Sequence, residues 1–452
     1  MATTTSVHNS AAPPQPGRLR GWGGGPGVRA LITAPRGIEA ARNAVQTAPG
    51  SGAIPRGMGR SYGDAAQLAD GLVIDMTRMK GFQLEERLGT VRAQAGVTIG
   101  ELLDVLVPAG WMLPVVPGTQ HVTVGGAIAS DIHGKSHGVD GTFGSHVRAL
   151  GLLTADGEIH ELGPESDLFA ATLGGMGLTG VIVWARIALR RITSSLLGVD
   201  TDRAASLDDA LALLAEPGGR YRVAWLDLLG SGSGRGVVTR ARTEAPSVAP
   251  PGMCSARATV PARWPSGLLR ESTVRAFNAF RYRTSPRRQR GAVERIGRHM
   301  FPLDALDAWP RLYGSAGLLQ YQLVVPPHSV HVLHETIARL HRARIPCYLA
   351  VLKDFGPAND APLSFPIEGW TLALDLPRAA PGLDAVLDDL DELVAAVGGR
   401  VYLSKDARIR PEAVRAMYPR LGEWLAVRDQ ADPGQLWQSD LAIRTGLVQR
   451  WR

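Results

Sequence analysis

Two glycine-rich segments constrain what this chain can fold into more than any other part of the sequence. The first spans residues 55–64 and ends in GRSYGD; the second spans residues 117–144 and includes the run GGAIASDIHGKSHG. Neither has the periodic apolar pattern of a helix or a strand, because glycine is mixed with hydroxyl, amide and basic side chains. Glycine lets backbone N–H groups approach phosphate oxygens without obstruction. Together the two segments predict a binding site for a large phosphate-bearing ligand.

The composition is that of a globular protein without a disulfide framework. The chain has 452 residues, of which 45% are hydrophobic, and this length favours two to three domains with sizeable cores. Its two cysteines, Cys254 and Cys347, are too few for a set of disulfides or a four-thiolate metal site. We therefore expect the fold to rest on side-chain packing.

The N-terminal run is rich in Ser, Thr, Pro and Gly and lacks the apolar stretch of a secretory signal. We expect a disordered leader over residues 1–18 and no signal peptide. No run approaches about 18 uninterrupted apolar residues, so no transmembrane helix is expected. Peripheral contact with a membrane stays open.

A basic segment, Arg281–His299, carries seven arginines and one glutamate in a chain of net charge +7. This pattern favours contact with an anionic membrane surface or an anionic substrate. The alternative is an ordinary solvated face of a helix or loop. Nucleic acid is not an expected partner, because no recognisable nucleic-acid-binding motif accompanies the arginines.

The first part of the chain reads as an α+β domain over residues 19–193. Short β-branched runs alternate there with helical runs. One helix is well signalled, because Thr98 and Glu101 have the spacing of a capping box just before an apolar face.

A second, sheet-based domain is predicted over residues 194–399. Its expected strands are YRVAWLDLL, LQYQLVVP, CYLAVLKDFG and GWTLALDLP, with helices such as SVHVLHETIARLHRARI between them. The helical residues 400–452 are expected to return and pack on the first domain.

The sequence lacks the motifs of several common classes of enzyme. The run GGMGLTG contains G-x-G-x-x-G at Gly175, Gly177 and Gly180, but it follows a predicted helix and precedes a predicted strand. A nucleotide-binding Rossmann turn has the opposite order. There is also no G-x-S-x-G nucleophile motif and no phosphate-binding G-x-x-x-x-G-K-[ST] loop.

The HGKSH run places His133 and His137 four residues apart. Two zinc ligands on a helix can have this spacing, but Gly134 and Gly138 oppose a helix here. No metal is therefore expected. The favoured reading is a polar wall of a ligand pocket, and a structural histidine pair is the alternative.

The runs PRGMGRSYGDAA, GTFGSHV and YLSKDAR, with the second glycine-rich segment, resemble the FAD-binding oxidoreductases of the vanillyl-alcohol oxidase type. Within that family the chain is similar to the flavoprotein (oxidase) subunits of decaprenylphosphoryl-β-D-ribose 2'-epimerase, over nearly all of its length after the leader. The resemblance implies a two-domain α+β fold. In such a fold the C-terminal segment completes the FAD domain, and a mixed or antiparallel sheet forms a substrate domain over the isoalloxazine ring.

The resemblance implies a non-covalently bound FAD, held mainly by the two glycine-rich segments. His133 matches the position at which several members of the wider superfamily attach FAD covalently, whereas the epimerase subunits do not. The residues expected to contact FAD are Arg56, Gly57, Gly59, Arg60, Ser61, Tyr62, Gly63, Pro117, Gly118, Thr119, Thr123, Gly125, Gly126, Ala127, Ser130, His133, Gly134, Gly180 and Tyr402.

Lys405, Tyr62 and His133 are the expected catalytic residues. Lys405 matches the family lysine that stabilises negative charge on the N1–C2 carbonyl side of the flavin, a task suited to a fixed cation in a dry site. A surface lysine in an ion pair is the alternative for Lys405, and a packing tyrosine is the alternative for Tyr62.

Five residues are expected to bind substrate. Gln320 and Gln322 alternate with Tyr321 and so share one strand face. For Lys353 the alternative is a solvated lysine at the end of a strand. For Trp225 the alternative is a position in the core. The five are Gln320, Gln322, Lys353, Trp225 and Thr371.

Two positions depart from the family pattern. Ala373 stands where many relatives carry cysteine, and Thr371 stands where asparagine is often found. The cysteine is not needed for flavin chemistry, so oxidation is still expected. The threonine leaves the identity of the sugar open.

The activity implied by the resemblance is FAD-dependent oxidation of the C2 hydroxyl of a polyprenylphosphoryl-β-D-ribofuranose to the 2-keto sugar. This would be the first half of a 2'-epimerisation that supplies arabinose for cell-wall polysaccharide, with an NADH-dependent short-chain reductase as partner. The expected location is peripheral, at the cytoplasmic membrane or cell envelope, with the membrane face left open. The alternatives are an oxidase of a soluble sugar, alditol or aldonolactone and a non-catalytic protein that binds flavin or an anionic membrane.

Overall fold

The computed structural model describes residues 13–230, 234–243, 258–261 and 269–448. Within these ranges the strands are β1 (Gln15–Leu19), β2 (Val28–Thr33), β3 (Ala53–Arg56), β4 (Leu72–Asp75), β5 (Phe82–Glu85), β6 (Thr90–Gln94), β7 (Trp111–Met112), β8 (Val147–Leu153), β9 (Ile159–Leu162), β10 (Val181–Ala188), β11 (Arg190–Arg191), β12 (Leu196–Ala204), β13 (Tyr221–Leu226), β14 (Gly236–Thr243), β15 (Ala258–Thr259), β16 (Arg288–Arg295), β17 (Leu306–Asp307), β18 (Leu318–Val325), β19 (Leu349–Phe355), β20 (Gly369–Pro377) and β21 (Arg400–Val401).

The helices connect these strands and close the C-terminal region. None of those in the described ranges combines the length and the apolar character that a bilayer crossing requires. The helices are α1 (Ile38–Gln46), α2 (Ile99–Leu106), α3 (Val124–Ala129), α4 (His137–Asp140), α5 (Asp167–Thr172), α6 (Leu207–Ala215), α7 (Glu271–Thr284), α8 (Ile296–Met300), α9 (His331–Arg342), α10 (Leu383–Ala396), α11 (Pro411–Met417), α12 (Leu421–Ala431) and α13 (Asp440–Thr445).

Two small sheets form the N-terminal region. In the first, β2, β4 and β3 run parallel and β1 pairs antiparallel at the edge, in the order β1-β2-β4-β3. The second is antiparallel, in the order β5-β6-β10-β8-β9. Because helices are mixed here with parallel and antiparallel strands, the predicted α+β class is confirmed.

Two predictions about local structure are also confirmed. Helix α2 begins with a capping box, in which the Thr98 hydroxyl accepts from the Glu101 N–H and the Glu101 carboxylate accepts from the Thr98 N–H at 2.7 Å. The glycines of GGMGLTG lie between helix α5 and strand β10, which is the reverse of the Rossmann order.

An eight-stranded antiparallel sheet forms the second region, in the order β16-β12-β14-β13-β19-β20-β18-β21. One face packs against α6, α9 and α10 through leucine, isoleucine and valine side chains. On the other face the register places Gln322 beside Ala373, and Ala373 beside Val351. Because side chains alternate along a strand, this second face can carry polar groups while the first stays apolar.

The C-terminal segment contacts the N-terminal region. The Ala53 N–H donates to the Leu436 carbonyl at 2.8 Å, and the Trp424 indole donates to the Ala171 carbonyl at 2.9 Å. Strand β21, by contrast, pairs with β18 of the large sheet. The domain boundaries after residues 193 and 399 are therefore a proposal.

The predicted disordered leader, residues 1–18, is too long. Residues 1–12 lie outside the described part of the chain, but Gln15–Leu19 forms β1 and pairs in register with Val28–Ile32. The prediction of disorder up to residue 18 is therefore wrong at its C-terminal end. This edge strand is mostly exposed and contains Pro16, so it lacks the apolar alternation that signals a strand.

Candidate active site

A large cavity lies between the two glycine-rich segments and the polar face of the eight-stranded sheet. It holds about 1720 Å³ of empty space, counting the part open to solvent. Its lining comes from both glycine-rich segments, from strands of the large sheet and from the C-terminal segment, so it can take an elongated ligand that contacts all of them. The predicted site residues that line it are Arg56, Gly57, Gly59, Arg60, Ser61, Tyr62, Pro117, Gly118, Thr119, Thr123, Gly125, Gly126, Ser130, His133, Gly180, Gln320, Gln322, Lys353, Tyr402 and Lys405.

The first glycine-rich segment follows β3 and forms one side of the cavity. Gly59 has φ +60°, and a Cβ atom there would lie 2.1 Å from Nη2 of Arg56. The Arg56 guanidinium is fixed by the carbonyl oxygens of Ala66 and Arg20, at 2.6 and 2.9 Å. Among the described residues, the N–H groups of residues 58–61 have no hydrogen-bond acceptor. Consecutive free N–H groups suit an anion such as a pyrophosphate.

The second glycine-rich segment contacts the first. A Cβ atom on Gly57 would lie 2.1 Å from the hydroxyl of Thr123, which accepts from the Gly126 N–H at 3.2 Å. A Cβ atom on Gly118 would meet no protein atom within 4 Å, so that residue borders open space. The two segments therefore form one continuous glycine wall, defined here as residues 55–62 and 117–130.

The YLSK run joins the two halves of the glycine wall. The Ser404 hydroxyl donates to the Ser130 hydroxyl at 2.9 Å and lies 3.3 Å from the Ser61 hydroxyl. The Tyr402 hydroxyl donates to the Ser130 carbonyl at 2.7 Å, and the Tyr62 N–H donates to the Ser404 carbonyl at 3.1 Å. This run thus fixes the wall from the C-terminal part of the chain.

Lys405 faces the cavity next to Tyr62. Its Nζ lies 4.2 Å from the centroid of the Tyr62 ring. Burial lowers the pKa of Lys405 to about 8, and the nearby Asp375 carboxylate opposes that shift. Burial and Asp375 raise the pKa of Tyr62 well above its usual value. At neutral pH the site therefore holds a cation beside a neutral phenol.

A second lysine, Lys353, lines the sheet side of the cavity, and the buried Lys135 lies near it. Burial, together with repulsion from Lys405 and Lys135, lowers the pKa of Lys353 to about 7. Lys135 donates to the His299 carbonyl, and burial lowers its pKa to about 8. Crowded positive charges favour a bound anion. The sequence analysis did not single out Lys135, which supports the charge of this region from behind the lining.

His133 is a neutral, buried side chain of the cavity. Burial is the largest cause that lowers its pKa well below the usual value. Nε2 of Gln322 donates to Nε2 of His133 at 2.9 Å and to the Thr371 hydroxyl at 3.1 Å. His133 therefore carries its proton on Nδ1, which is buried and has no hydrogen-bond partner among the described residues.

Asp375 is a functional candidate that the sequence analysis missed. It is 1% exposed, and its Oδ1 accepts from Nε2 of Gln320 at 2.5 Å. Its Oδ2 is buried without a hydrogen-bond partner in the described part of the chain. Burial raises the pKa of Asp375 to about 6. Thr371 and Ala373 were noted as departures from the family pattern, and because Asp375 alternates with them along β20, strand periodicity could have pointed to it as well.

Five predicted site residues do not line the cavity: Gly63, Ala127, Gly134, Trp225 and Thr371. The two glycines let backbone pack closely, because a Cβ atom would lie 1.9 Å from the Asp406 carbonyl at Gly63 and 2.3 Å from the Val116 carbonyl at Gly134. Ala127 is fully buried in α3.

Trp225 and Thr371 were predicted to contact substrate, but neither lines the cavity. Trp225 lies in β13 under the Arg281 guanidinium, 4.8 Å from its ring centroid, and so packs outside the cavity. Thr371 supports Gln322 from behind and donates its own hydroxyl to the Leu323 carbonyl at 2.8 Å. Its role in the structure is to orient Gln322.

Other lining residues were not predicted because they come from segments without a regular pattern. Trp309 lies with its ring centroid 6.5 Å from that of Tyr62, and the Arg60 guanidinium lies 3.7 Å from the Trp22 ring centroid. Asp304 accepts from the Gln120 N–H at 2.7 Å. No motif or periodicity in the sequence marks these residues.

The residues present fit FAD. The glycine wall offers free N–H groups for a pyrophosphate, Gly118 leaves open space beside it, and the unpartnered Nδ1 of His133 needs a polar neighbour. Lys405 adds a cation to the same cavity, against the ring of Tyr62. Comparison with known proteins agrees, because residues 30–163 match the FAD binding domain family. Fold and site thus define an FAD-dependent oxidoreductase of the vanillyl-alcohol oxidase type that acts on CH–OH groups.

The relatives narrow the family further. The decaprenylphosphoryl-β-D-ribose oxidase of Mycolicibacterium smegmatis is 39% identical over 451 residues, covering 95% of this chain and 98% of its own. An uncharacterized protein of Streptomyces coelicolor is 38% identical over 370 residues, covering 78% of this chain and 100% of its own. The chain belongs to the family of the decaprenylphosphoryl-β-D-ribose oxidases. An alditol oxidase of a Streptomyces species is 26% identical over 189 residues, 39% of this chain and 45% of its own.

Proposed function

We propose that this enzyme oxidises the C2 hydroxyl of a polyprenylphosphoryl-β-D-ribofuranose to the 2-keto sugar. The observation that carries the proposal is the similarity along almost the full length of the M. smegmatis oxidase. The lysines at the sheet side of the cavity support it, because they suit the phosphate of such a substrate.

The chain's own residues divide the work. When bound, FAD would supply the acceptor for the hydride that leaves C2, and the proton of the C2 hydroxyl would be released to water, which leaves the ketone. We propose that Lys405 holds positive charge where negative charge develops, in a site from which most water is excluded. Lys353 pairs with the substrate phosphate or sugar, while Gln320 and Gln322 orient the sugar from the sheet.

Tyr62 and His133 complete the proposed catalytic set. Tyr62 stays protonated and holds the Lys405 ammonium against its ring. His133 stays neutral and presents the N–H of Nδ1 to the cofactor. Neither residue needs to carry a charge for this role.

Asp375 is proposed as a positioning residue. Its Oδ1 fixes the amide of Gln320, and its negative charge keeps the Lys405 ammonium protonated to higher pH. It acts through these two side chains, so the pH profile of the reaction is the readout that would detect it.

The reaction is proposed as the first half of a two-component 2'-epimerisation that supplies arabinose for cell-wall polysaccharide. The chain's G-x-G-x-x-G lies in the wrong structural order for a nicotinamide cofactor, and Gly177 and Gly180 line the FAD cavity instead. A separate NADH-dependent short-chain reductase would therefore reduce the ketone. The proposed location is peripheral, on either face of the cytoplasmic membrane.

Turnover by purified protein tests this function. With polyprenylphosphoryl ribose and an artificial electron acceptor, we expect accumulation of the 2-keto sugar, and the arabino epimer only after an NADH-dependent reductase is added. Free pentoses and alditols serve as controls. Substantial arabino product from this chain alone would contradict the two-component scheme.

A second candidate is an oxidase of a soluble sugar, alditol or aldonolactone. The partial similarity to an alditol oxidase favours it. Turnover of a free alditol with stoichiometric hydrogen peroxide, and none with the lipid-linked ribose, would establish this alternative.

A further inference from the structure

Helix α7 presents two phenyl rings to solvent. Phe277 is 59% exposed and Phe280 is 67% exposed. The two residues are three apart on a helix, so their side chains are neighbours on its surface. Large apolar side chains grouped in this way mark interaction sites. We call Phe277 and Phe280 the phenyl pair.

The inner side of α7 is held firmly. Val274 is buried, and Nδ2 of Asn278 donates to Oδ1 of Asp227 at 3.0 Å. The guanidinium of Arg235 lies 4.7 Å from the centroid of the Tyr282 ring. The phenyl pair therefore stands on a fixed helix and is not exposed by fraying.

The C-terminal end of α7 lies beside the cavity. The Arg281 guanidinium covers the Trp225 ring at 4.8 Å, and Trp225 pairs in the sheet with Val351, which lines the cavity. Arg281 is also close enough to Lys135 to contribute to the lowering of its pKa.

The N-terminal end of α7 approaches the cavity through a row of aromatic rings. Glu271 is close enough to Tyr348 to add to the raising of its pKa. The ring centroids of Tyr348 and Tyr313 are 5.7 Å apart, and those of Tyr313 and Trp309 are 6.4 Å apart. Trp309 lines the cavity, so this row of rings connects the N-terminal end of α7 to the site.

The surface around the phenyl pair is strongly basic. Residues 271–295 contain seven arginines and two glutamates, and Arg283, Arg287 and Arg288 are exposed. Strand β16 lies at the edge of the large sheet, so no other strand of the described residues pairs with its outer side. Apolar rings ringed by cations complement an anionic bilayer, where arginines meet phosphate headgroups and phenyl rings enter the acyl boundary.

We propose that α7 lies on an anionic lipid bilayer with the phenyl pair inserted, which puts the flank of the cavity against the membrane. The inference deepens the proposed function and rests on it for the substrate. A polyprenyl tail can then stay in the bilayer while its phosphosugar enters the protein. The occupant is lipid, because the adjacent arginines would repel the same basic surface on a second copy of the chain.

Vesicle flotation of the FAD-loaded full-length protein tests the surface. We compare wild type with Phe277→Ser/Phe280→Ser on vesicles of phosphatidylcholine, with and without about 30% phosphatidylglycerol. We expect wild type to bind only the anionic vesicles, and the double variant to bind them at least tenfold more weakly. Binding by the double variant equal to wild type would overturn the proposal. So would a concentration-dependent dimer that the double variant abolishes without any change in flotation.

Two controls separate the roles of the groups. Leu88→Ser removes another exposed apolar side chain, 68% exposed in the turn between β5 and β6, and should leave flotation unchanged. Arg283→Gln/Arg287→Gln/Arg288→Gln should weaken binding at low salt and flatten its salt dependence. FAD absorbance and the melting temperature should match wild type in all variants; equal weakening of flotation by Leu88→Ser would overturn the specific role of the phenyl pair.

Kinetics distinguishes this surface from the proposed reaction. With substrate embedded in vesicles, Phe277→Ser/Phe280→Ser should raise KM at least tenfold and leave kcat within twofold. With a water-soluble short-chain analogue, both parameters should match wild type. If the enzyme oxidises no lipid-linked ribose at all, the proposed function fails, and the flotation result still decides whether α7 binds membrane. An equal KM increase with the soluble analogue would overturn the membrane role.

Discussion

The two sides of the cavity are built in opposite ways. The glycine wall offers the backbone N–H groups of residues 58–61, which have no acceptor in the described part of the chain, and it lies inside the stretch that matches the FAD binding domain family. The sheet side offers Gln320, Gln322, Lys353 and Ala373, and it lies outside that stretch. Backbone chemistry varies little with sequence, whereas each strand position can change independently. The comparison predicts that damage to the wall affects cofactor retention, and damage to the sheet side and its neighbour Lys405 affects turnover.

Lys405→Met should produce the largest effect. Turnover should fall by roughly 10²-fold or more, the usual consequence of losing one preorganised electrostatic group. FAD should stay bound, because the proposed pyrophosphate contacts come from the glycine wall. Stopped-flow reduction of the flavin and the ratio of FAD to protein are the two measurements.

Lys80→Met is the matched control for that variant. Lys80 is a surface lysine paired with Glu101, so its loss should leave both measurements unchanged. Loss of FAD from Lys405→Met would contradict the comparison, in which the glycine wall retains the cofactor and the other side of the cavity controls turnover.

Gly59→Ala should have the next largest effect, on FAD affinity. An alanine at φ +60° costs about 1–2 kcal/mol, and its Cβ would push against Arg56. We expect FAD to bind about tenfold more weakly, which corresponds to about 1.4 kcal/mol. Titration of apoprotein with FAD measures the change.

Gly398→Ala separates strain from binding. Gly398 also has positive φ, at +71°, but a Cβ atom there meets nothing within 4 Å and it does not line the cavity. This variant should lose stability without losing FAD affinity. Equal FAD affinity for both alanine variants would argue against the holding role of the glycine wall.

Asp375→Asn should have a moderate effect, seen in the pH profile. In wild type, kcat/KM should rise as Asp375 ionises near its pKa of about 6 and fall as Lys405 loses its proton near pH 8. Removing the carboxylate lowers the pKa of Lys405, so the alkaline limb should move to lower pH by roughly one unit. The acid limb near pH 6 should disappear. A profile with both limbs unchanged would exclude the positioning role.

Ala373→Cys should have the smallest effect on turnover. It tests whether residue 373, on the sheet side, faces the cavity. Ala373 lines the cavity between Gln322 and Val351, so the new thiol should accept one more alkylating label than wild type and be protected by substrate. Turnover should stay within twofold. Cys347 should not supply that label, because it is buried and its pKa is raised. Intact-mass spectrometry counts the labels, and equal counts in the two proteins would show that residue 373 does not face open space.

Much of the fold could be predicted from the sequence because its signals are local. The Thr98–Glu101 box predicted α2, and the apolar runs predicted β13, β18, β19 and β20, with the glutamines of β18 on one face. Both glycine-rich segments also line one cavity. Each of these signals depends on neighbours within a few residues.

The rest depends on packing between distant segments. Trp225 has the composition of a pocket residue, but the Arg281 side chain covers it. Thr371 faces the right way, but Gln322 stands in front of it. Trp309 comes from an irregular segment whose approach to Tyr62 no pattern records. Only Asp375 and Lys135 were within reach of sequence reasoning, through strand alternation and the charge in HGKSH.

The hydrogen bonds of Ser404 to both halves of the glycine wall have a consequence for biosynthesis. Its partners Ser61 and Ser130 are separated from it by 343 and 274 residues, and the nearby pair of Asp64 with Arg444 spans 380 residues. Contacts this distant cannot form until the ribosome has made nearly all of the described chain, and closing such long loops slows folding. The flavin site is thus among the last parts to mature. A nascent chain that carries both glycine-rich segments but not yet Ser404 lacks the contacts that join them, so we expect the FAD site to form only after the YLSK run has been made.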